Sequence, residues 1–141
     1  MAVKLVKGDA LKFGTYGMEH INLPPERNTY WDSVKVAKIC DSKTFSEPRF
    51  GISFEKAPAC APFLHRFAEY EEVLYIVSGG PLRITYKGQT MDGVAGDFFI
   101  FPQGDEIMWE IVRDVVYITC HYPPVDLIIK AREQKFGLRQ K

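Results

Sequence analysis

The chain of 141 residues is long enough for one domain that buries an ordinary core, and 46% of it is hydrophobic. Eighteen basic and eighteen acidic side chains leave a formal net charge of zero, which excludes a global field that would draw nucleic acid or anionic lipid. No apolar run approaches the roughly 20 residues of a membrane-spanning helix, and Met1 to Gly8 lacks the apolar core of a secretory signal. Three cysteines without paired spacing, at 40, 60 and 120, argue for free thiols and a cytoplasmic location.

Residues 1–31 are expected to form an irregular arm, since Gly14, Gly17 and Pro24-Pro25 interrupt any helix. Residues 32–125 carry short apolar runs separated by turn residues, and 126–141 a helix and tail, all within a single domain. Phe50, Ile52 and Phe54 alternate with Gly51, Ser53 and Glu55, the two-residue period of a half-buried strand. Leu82, Ile84 and Tyr86 repeat that alternation between the turns Ser78–Pro81 and Lys87–Gln89. Ile107 to Val112 and Val115 to Cys120 supply two more strands, so the chain is predicted to be all-β, a sandwich or barrel. Asp126 to Gln134 is the one helix, with Leu127, Ile128 and Ala131 as its apolar side and Gly137 as its stop. Strand Glu72 to Ser78 is apolar on both parities, which predicts cover on both faces and a homodimer.

Two segments carry a resemblance. His65-Arg66-Phe67 is followed after four residues by Glu72 and after six more by Gly79; further on stand Gly96, Pro102 and Gly104. The spacing resembles the two motifs of the cupin superfamily, with Phe67, Ile107 and Ile111 in place of the second His, third His and Asn, and Ala59 in place of a Gly. Glu71 to Val77 together with Gly96 to Pro102 is most similar to the ethanolamine-utilisation (EutQ-like) cupins. The fold implied is a double-stranded β-helix, a jelly-roll barrel with an N-terminal arm and one C-terminal helix.

A cupin metal site gathers three imidazoles and a carboxylate inside the barrel, because side chains two apart on a strand share a face. Only His65 and Glu72 survive here, so the resemblance implies either a divalent metal (Zn, Mn, Fe or Ni) held with substitute ligands or no metal at all. Val116, Ile118 and Cys120 form the purely apolar face of the last strand, so His121 is expected to point away from the barrel. An inward Glu72 among apolar residues is expensive to bury unpaired, and a His65–Glu72 pair would suit general acid–base chemistry. Phe67, Ile107 and Trp109 are expected to fill the barrel beside that pair as ligand-contacting side chains. Glu69, Tyr75 and Tyr86 are further candidates, with a solvated turn and packed aromatics as their structural alternatives. Arg66 and Arg83 are expected to face outward.

Two functions follow. One is a barrel that binds a small polar metabolite, with isomerase, lyase or ethanolamine-utilisation chemistry at His65 and Glu72. The other is a non-catalytic binding or assembly module that has lost the metal site. A cavity of at least roughly 300 Å3 beside His65 and Glu72 would favour the first.

Overall fold

The computed structural model describes residues 3–15 and 29–136. The expected breaks at Gly17 and Pro24-Pro25 and the expected helix stop at Gly137 lie outside the described residues. Nine strands run in order: β1 (Lys35–Cys40), β2 (Gly51–Ala57), β3 (Cys60–Arg66), β4 (Glu71–Gly79), β5 (Leu82–Tyr86), β6 (Gln89–Gly93), β7 (Phe98–Phe101), β8 (Glu106–Ile111) and β9 (Val115–Tyr122). One helix, α1 (Val125–Phe136), follows. The strands form two antiparallel sheets, β1-β2-β9-β4-β7 and β3-β8-β5-β6, which face each other as a jelly-roll barrel. Between β5 and β6 the turn is the tight kind read from the sequence: Lys87 and Gly88 take φ of 48° and 79°, both left-handed. Among the described residues no helix is long and apolar enough to cross a membrane.

The four-stranded sheet has the ordinary polarity. Leu82, Ile84, Ile107, Trp109 and Ile111 point inward and are buried. Its outer face carries ion pairs, Arg83 with Asp92 at 2.8 Å and Arg66 with Glu106 at 3.3 Å, so both arginines face outward. The five-stranded sheet reverses that polarity on β2 and β9. Ser53, Glu55, Tyr117, Thr119 and His121 are its buried, inward residues, while Ile52, Phe54, Val116, Ile118 and Cys120 lie on the outer side.

This corrects the expectation for His121, which points into the barrel. The apolar parity of β9 is the outer one, continuous with that of β2, whose outer surface the arm covers. Phe13 of the arm packs edge-on against Phe54 at 5.9 Å, and Gly14 bridges to Val36. Toward β4 and β7 the same surface is bare. Val73, Val77, Phe98 and Ile100 are exposed, in register with Cys120 and Ile118 through Val73 and Tyr75.

Trp31, in a short 3-10 turn spanning Thr29–Ser33, is buried against Phe63, His65 and Trp109. The end of the arm therefore belongs to the core. Helix α1 closes one side of the barrel. Its buried positions are Ile128, Arg132 and Glu133, and Ala131, expected on the apolar side, is exposed. The stripe is shifted because the helix covers a polar interior, where an arginine can be paired. Arg132 grips the carboxylate of Glu69, in the β3–β4 turn, through Nε at 2.8 Å and a second guanidinium nitrogen at 2.7 Å. At the other end Asp126 accepts hydrogen bonds from the Ser42 backbone N–H and hydroxyl.

Candidate functional site

The reversed polarity of the five-stranded sheet creates the site. Register places Glu55 of β2 opposite Tyr117 of β9, and Tyr117 Oη donates to Glu55 Oε1 at 3.1 Å. Thr119 Oγ1 donates to the other carboxylate oxygen at 3.4 Å and lies 3.4 Å from His121 Nδ1. Glu55 is 2% exposed, so its two hydroxyl donors provide part of the solvation that burial removes. Glu72 of β4 shares the inward parity of Leu74 and Ile76 and faces His121 across β9. Burial pushes its carboxyl well above the usual carboxylate range, and the charge of Glu55 raises it further.

These groups surround a cavity of about 70 Å3, walled by Glu55, Glu72, His65, Tyr117 and Thr119, with Trp31, Tyr70 and Trp109 as its aromatic lining. Val125, Ile128, Ile129 and Arg132 of α1 form its roof. The volume falls well short of the roughly 300 Å3 at the low end of ordinary ligand pockets. By that measure the first of the two functions loses ground, and any occupant has only a few heavy atoms. A larger, open groove of about 590 Å3 lies elsewhere, between β6 and β7, and is lined mainly by apolar side chains.

The expected site residues separate into three groups. His65, Glu72 and Trp109 come together around the cavity beneath α1. Phe67 and Ile107 are buried but contribute packing. Phe67 stacks on Phe101 at 4.5 Å, its ring edge against His65, and Ile107 is the β8 neighbour of His65. The remaining three lie away from that cavity. Glu69 is taken up by Arg132, Tyr75 lies on the outer face of β4 with its ring 4.6 Å from Phe98, and Tyr86 borders the open groove.

Glu55, Thr119, Trp31 and the roof residues are not among the sequence-based candidates, whereas Tyr117, a candidate to orient a ligand through its hydroxyl, does line the cavity. The available signal was Glu55 beside Ser53 on the small, polar parity of a strand whose other parity is apolar. That pattern marks a buried polar face when something else covers the apolar side.

The family model for ethanolamine utilisation protein EutQ matches residues 41–126, a span that includes Glu55, His65, Glu72, Trp109 and Tyr117. The chain belongs to the EutQ family. No curated protein matches it. Among solved structures it is similar to ethanolamine utilization protein Q of Salmonella typhimurium LT2, at 22% identity and a TM-score of 0.64 over 86% of this chain and 87% of that one. The Clostridium difficile EutQ protein matches at 21% identity and a TM-score of 0.55, over 64% of this chain and 63% of that one. KdgF from Halomonas matches at 14% identity and a TM-score of 0.63, over 89% and 99%. At these identities the likeness shows the cupin fold.

The metal that the wider superfamily implies does not fit the donor set of this EutQ family member. Two of its four ligand positions hold Phe67 and Ile107, both in the hydrophobic core. Among the described residues no three His, Cys, Asp or Glu side chains form a group that could hold an ion. Glu55 and Glu72 are better described as an inequivalent acid pair, one engaged by two hydroxyls and one with a raised pKa.

Proposed function

We propose that the chain is a metabolite-binding barrel of the ethanolamine-utilisation type that takes a small polar molecule beneath α1. The observation that carries this is the pairing of Glu55 and Glu72 in one roofed cavity. Burying two carboxyl groups is costly, and an all-apolar filling of the same volume would give a more stable barrel. A polar occupant supplies the reason for their presence. A thermal-shift panel of small polar metabolites tests it: at least one member should raise the Tm of the wild type and fail to raise that of Glu72→Gln. A panel with no member acting at the cavity would overturn it.

A second reading, isomerase or lyase chemistry, is favoured by the inequivalence of the two glutamates. A carboxylate engaged by two hydroxyl donors and one with a raised pKa in the same cavity suit a base and an acid. The first partner we propose is a second copy of this chain, seated on the bare outer surface around Val73, Val77, Phe98 and Ile100. The arm already caps the β2 end of that surface, and an exposed edge strand as apolar as β7 is an aggregation hazard unless covered. The compartment proposed is the cytoplasm, where Cys40, Cys60 and Cys120 remain free thiols.

A further inference from the structure

Resting on the metabolite-pocket reading, we infer that the occupant is a small alkylammonium ion carrying a hydrogen-bond acceptor, its cation met by Glu55 and Glu72 inside an aromatic cage. Four aromatic rings line the cavity: Trp31, Tyr70, Trp109 and Tyr117. Three of them are contiguous, with Trp31 and Trp109 centroids 5.8 Å apart and Trp109 and Tyr117 6.1 Å apart. Ring faces attract cations, and a desolvated cation gains most from them. Both carboxyl groups of the lining lie on the same cavity as these rings.

The charge of the lining also selects against anions. Arg132 is the one guanidinium among the lining residues, and both oxygens of the Glu69 carboxylate already accept from it, at 2.8 and 3.1 Å. An incoming carboxylate or phosphate would meet two buried glutamates with that arginine engaged elsewhere. The second feature is the Trp109 indole. Its Nε1–H is buried and has no hydrogen-bond partner among the described residues, on a side chain that is 1% exposed and lines the cavity. A buried donor left unmet is destabilising. A hydroxyl or carbonyl oxygen on the occupant would accept from it, which points to a cation with an oxygen a few bonds away.

The cavity volume of about 70 Å3 excludes bulky amines. Methylammonium and 2-hydroxyethylammonium are of suitable size; tetraethylammonium is not.

The test uses intrinsic fluorescence, since both tryptophans of the chain, Trp31 and Trp109, border the cavity. The full chain is titrated with 2-hydroxyethylammonium, methylammonium, tetraethylammonium, acetate and ethylene glycol, all at constant ionic strength. The expected result is saturable change with the two small ammonium ions, tighter for the hydroxylated one, and none with tetraethylammonium or acetate. Glu55→Gln should weaken binding at least about tenfold, since a charge-assisted contact becomes a neutral one. Trp109→Phe should remove the advantage of the hydroxyl and leave methylammonium binding in place, read through Trp31. Acetate or glycol binding without ammonium binding would overturn the cation inference and leave the metabolite pocket standing. Failure of every small probe, with all variants folded, would overturn both.

Discussion

Gly51 and His121 face each other across β2 and β9 so closely that a Cβ on Gly51 would lie 2.5 Å from His121 Nε2. The imidazole occupies the space that glycine leaves open. Gly51→Ala should therefore destabilise the fold by about 1–3 kcal/mol, the usual cost of overpacking. Chemical denaturation of the two proteins measures it. The double variant Gly51→Ala/His121→Ala should regain part of the loss, because each change relieves the other's clash.

Acid should loosen the same region. Burial pulls the His121 pKa down to about 4 from an ordinary value of 6.5, with Asp126 opposing more weakly. The folded state thus keeps the ring neutral where the unfolded chain takes up a proton. Stability is greatest above pH 6.5 and falls as pH drops toward 4, on the order of 2–3 kcal/mol over that window. Denaturation midpoints recorded from pH 4 to 7 should show that slope in the wild type and a flatter profile in His121→Gln.

Glu72 has the opposite sign. Its raised pKa means that the folded state holds a proton the unfolded chain has lost, so its contribution is present at low pH and lost as pH rises through the folded pKa. Glu72→Gln should match the wild type near pH 4 and exceed it at pH 8, with roughly 3 °C in Tm for each kcal/mol. Thermal melts of both proteins at the two pH values check it. Equal melting temperatures at pH 8 would mean that the carboxyl is solvated in the folded protein.

The roof should open faster when its latch is cut. Arg132 is 6% exposed, and removing Glu69 leaves that guanidinium buried without the carboxylate it grips. Glu69→Ala should cost about 3–5 kcal/mol if the helix stays docked, and less if the helix lifts and hydrates the arginine. Hydrogen exchange separates the two. Amides of 125–136 should lose protection ahead of those of β4 and β9.

The outer surface offers a fifth test. Ile100 is 76% exposed and Phe98 66% exposed on a short edge strand. Sedimentation of the wild type should give twice the 16.1 kDa chain mass, and Ile100→Lys should return a folded monomer. A wild type that sediments as a monomer would leave this surface without the proposed partner.

The barrel was legible because its signals are local. Turn residues between alternating strands, together with the spacing of His65, Glu72, Gly79, Gly96, Pro102 and Gly104, specify strand order and closure. Which parity of a strand faces inward is not local. On β8 the apolar set Ile107, Trp109 and Ile111 faces in, as hydrophobic burial predicts. On β2 and β9 the apolar set faces out, and on β2 its cover comes from the arm, a distant part of the chain. Glu55 and Thr119 are therefore invisible as cavity residues in the sequence, and His121 reads as facing the wrong way. Arg132 was missed for a related reason: its partner Glu69 is 63 residues away and reads as part of an acidic turn.

The central claim is that the cavity between Glu55 and Glu72 is the ligand site, and the groove between β6 and β7 is not. Diffraction from crystals soaked with the small metabolite giving the largest Tm shift tests it most directly. The account predicts ordered density beneath α1, within hydrogen-bond distance of at least one of the two glutamates. Density seated instead in the open groove beside Tyr86 and Ile107, with the cavity beneath α1 unchanged, would contradict it.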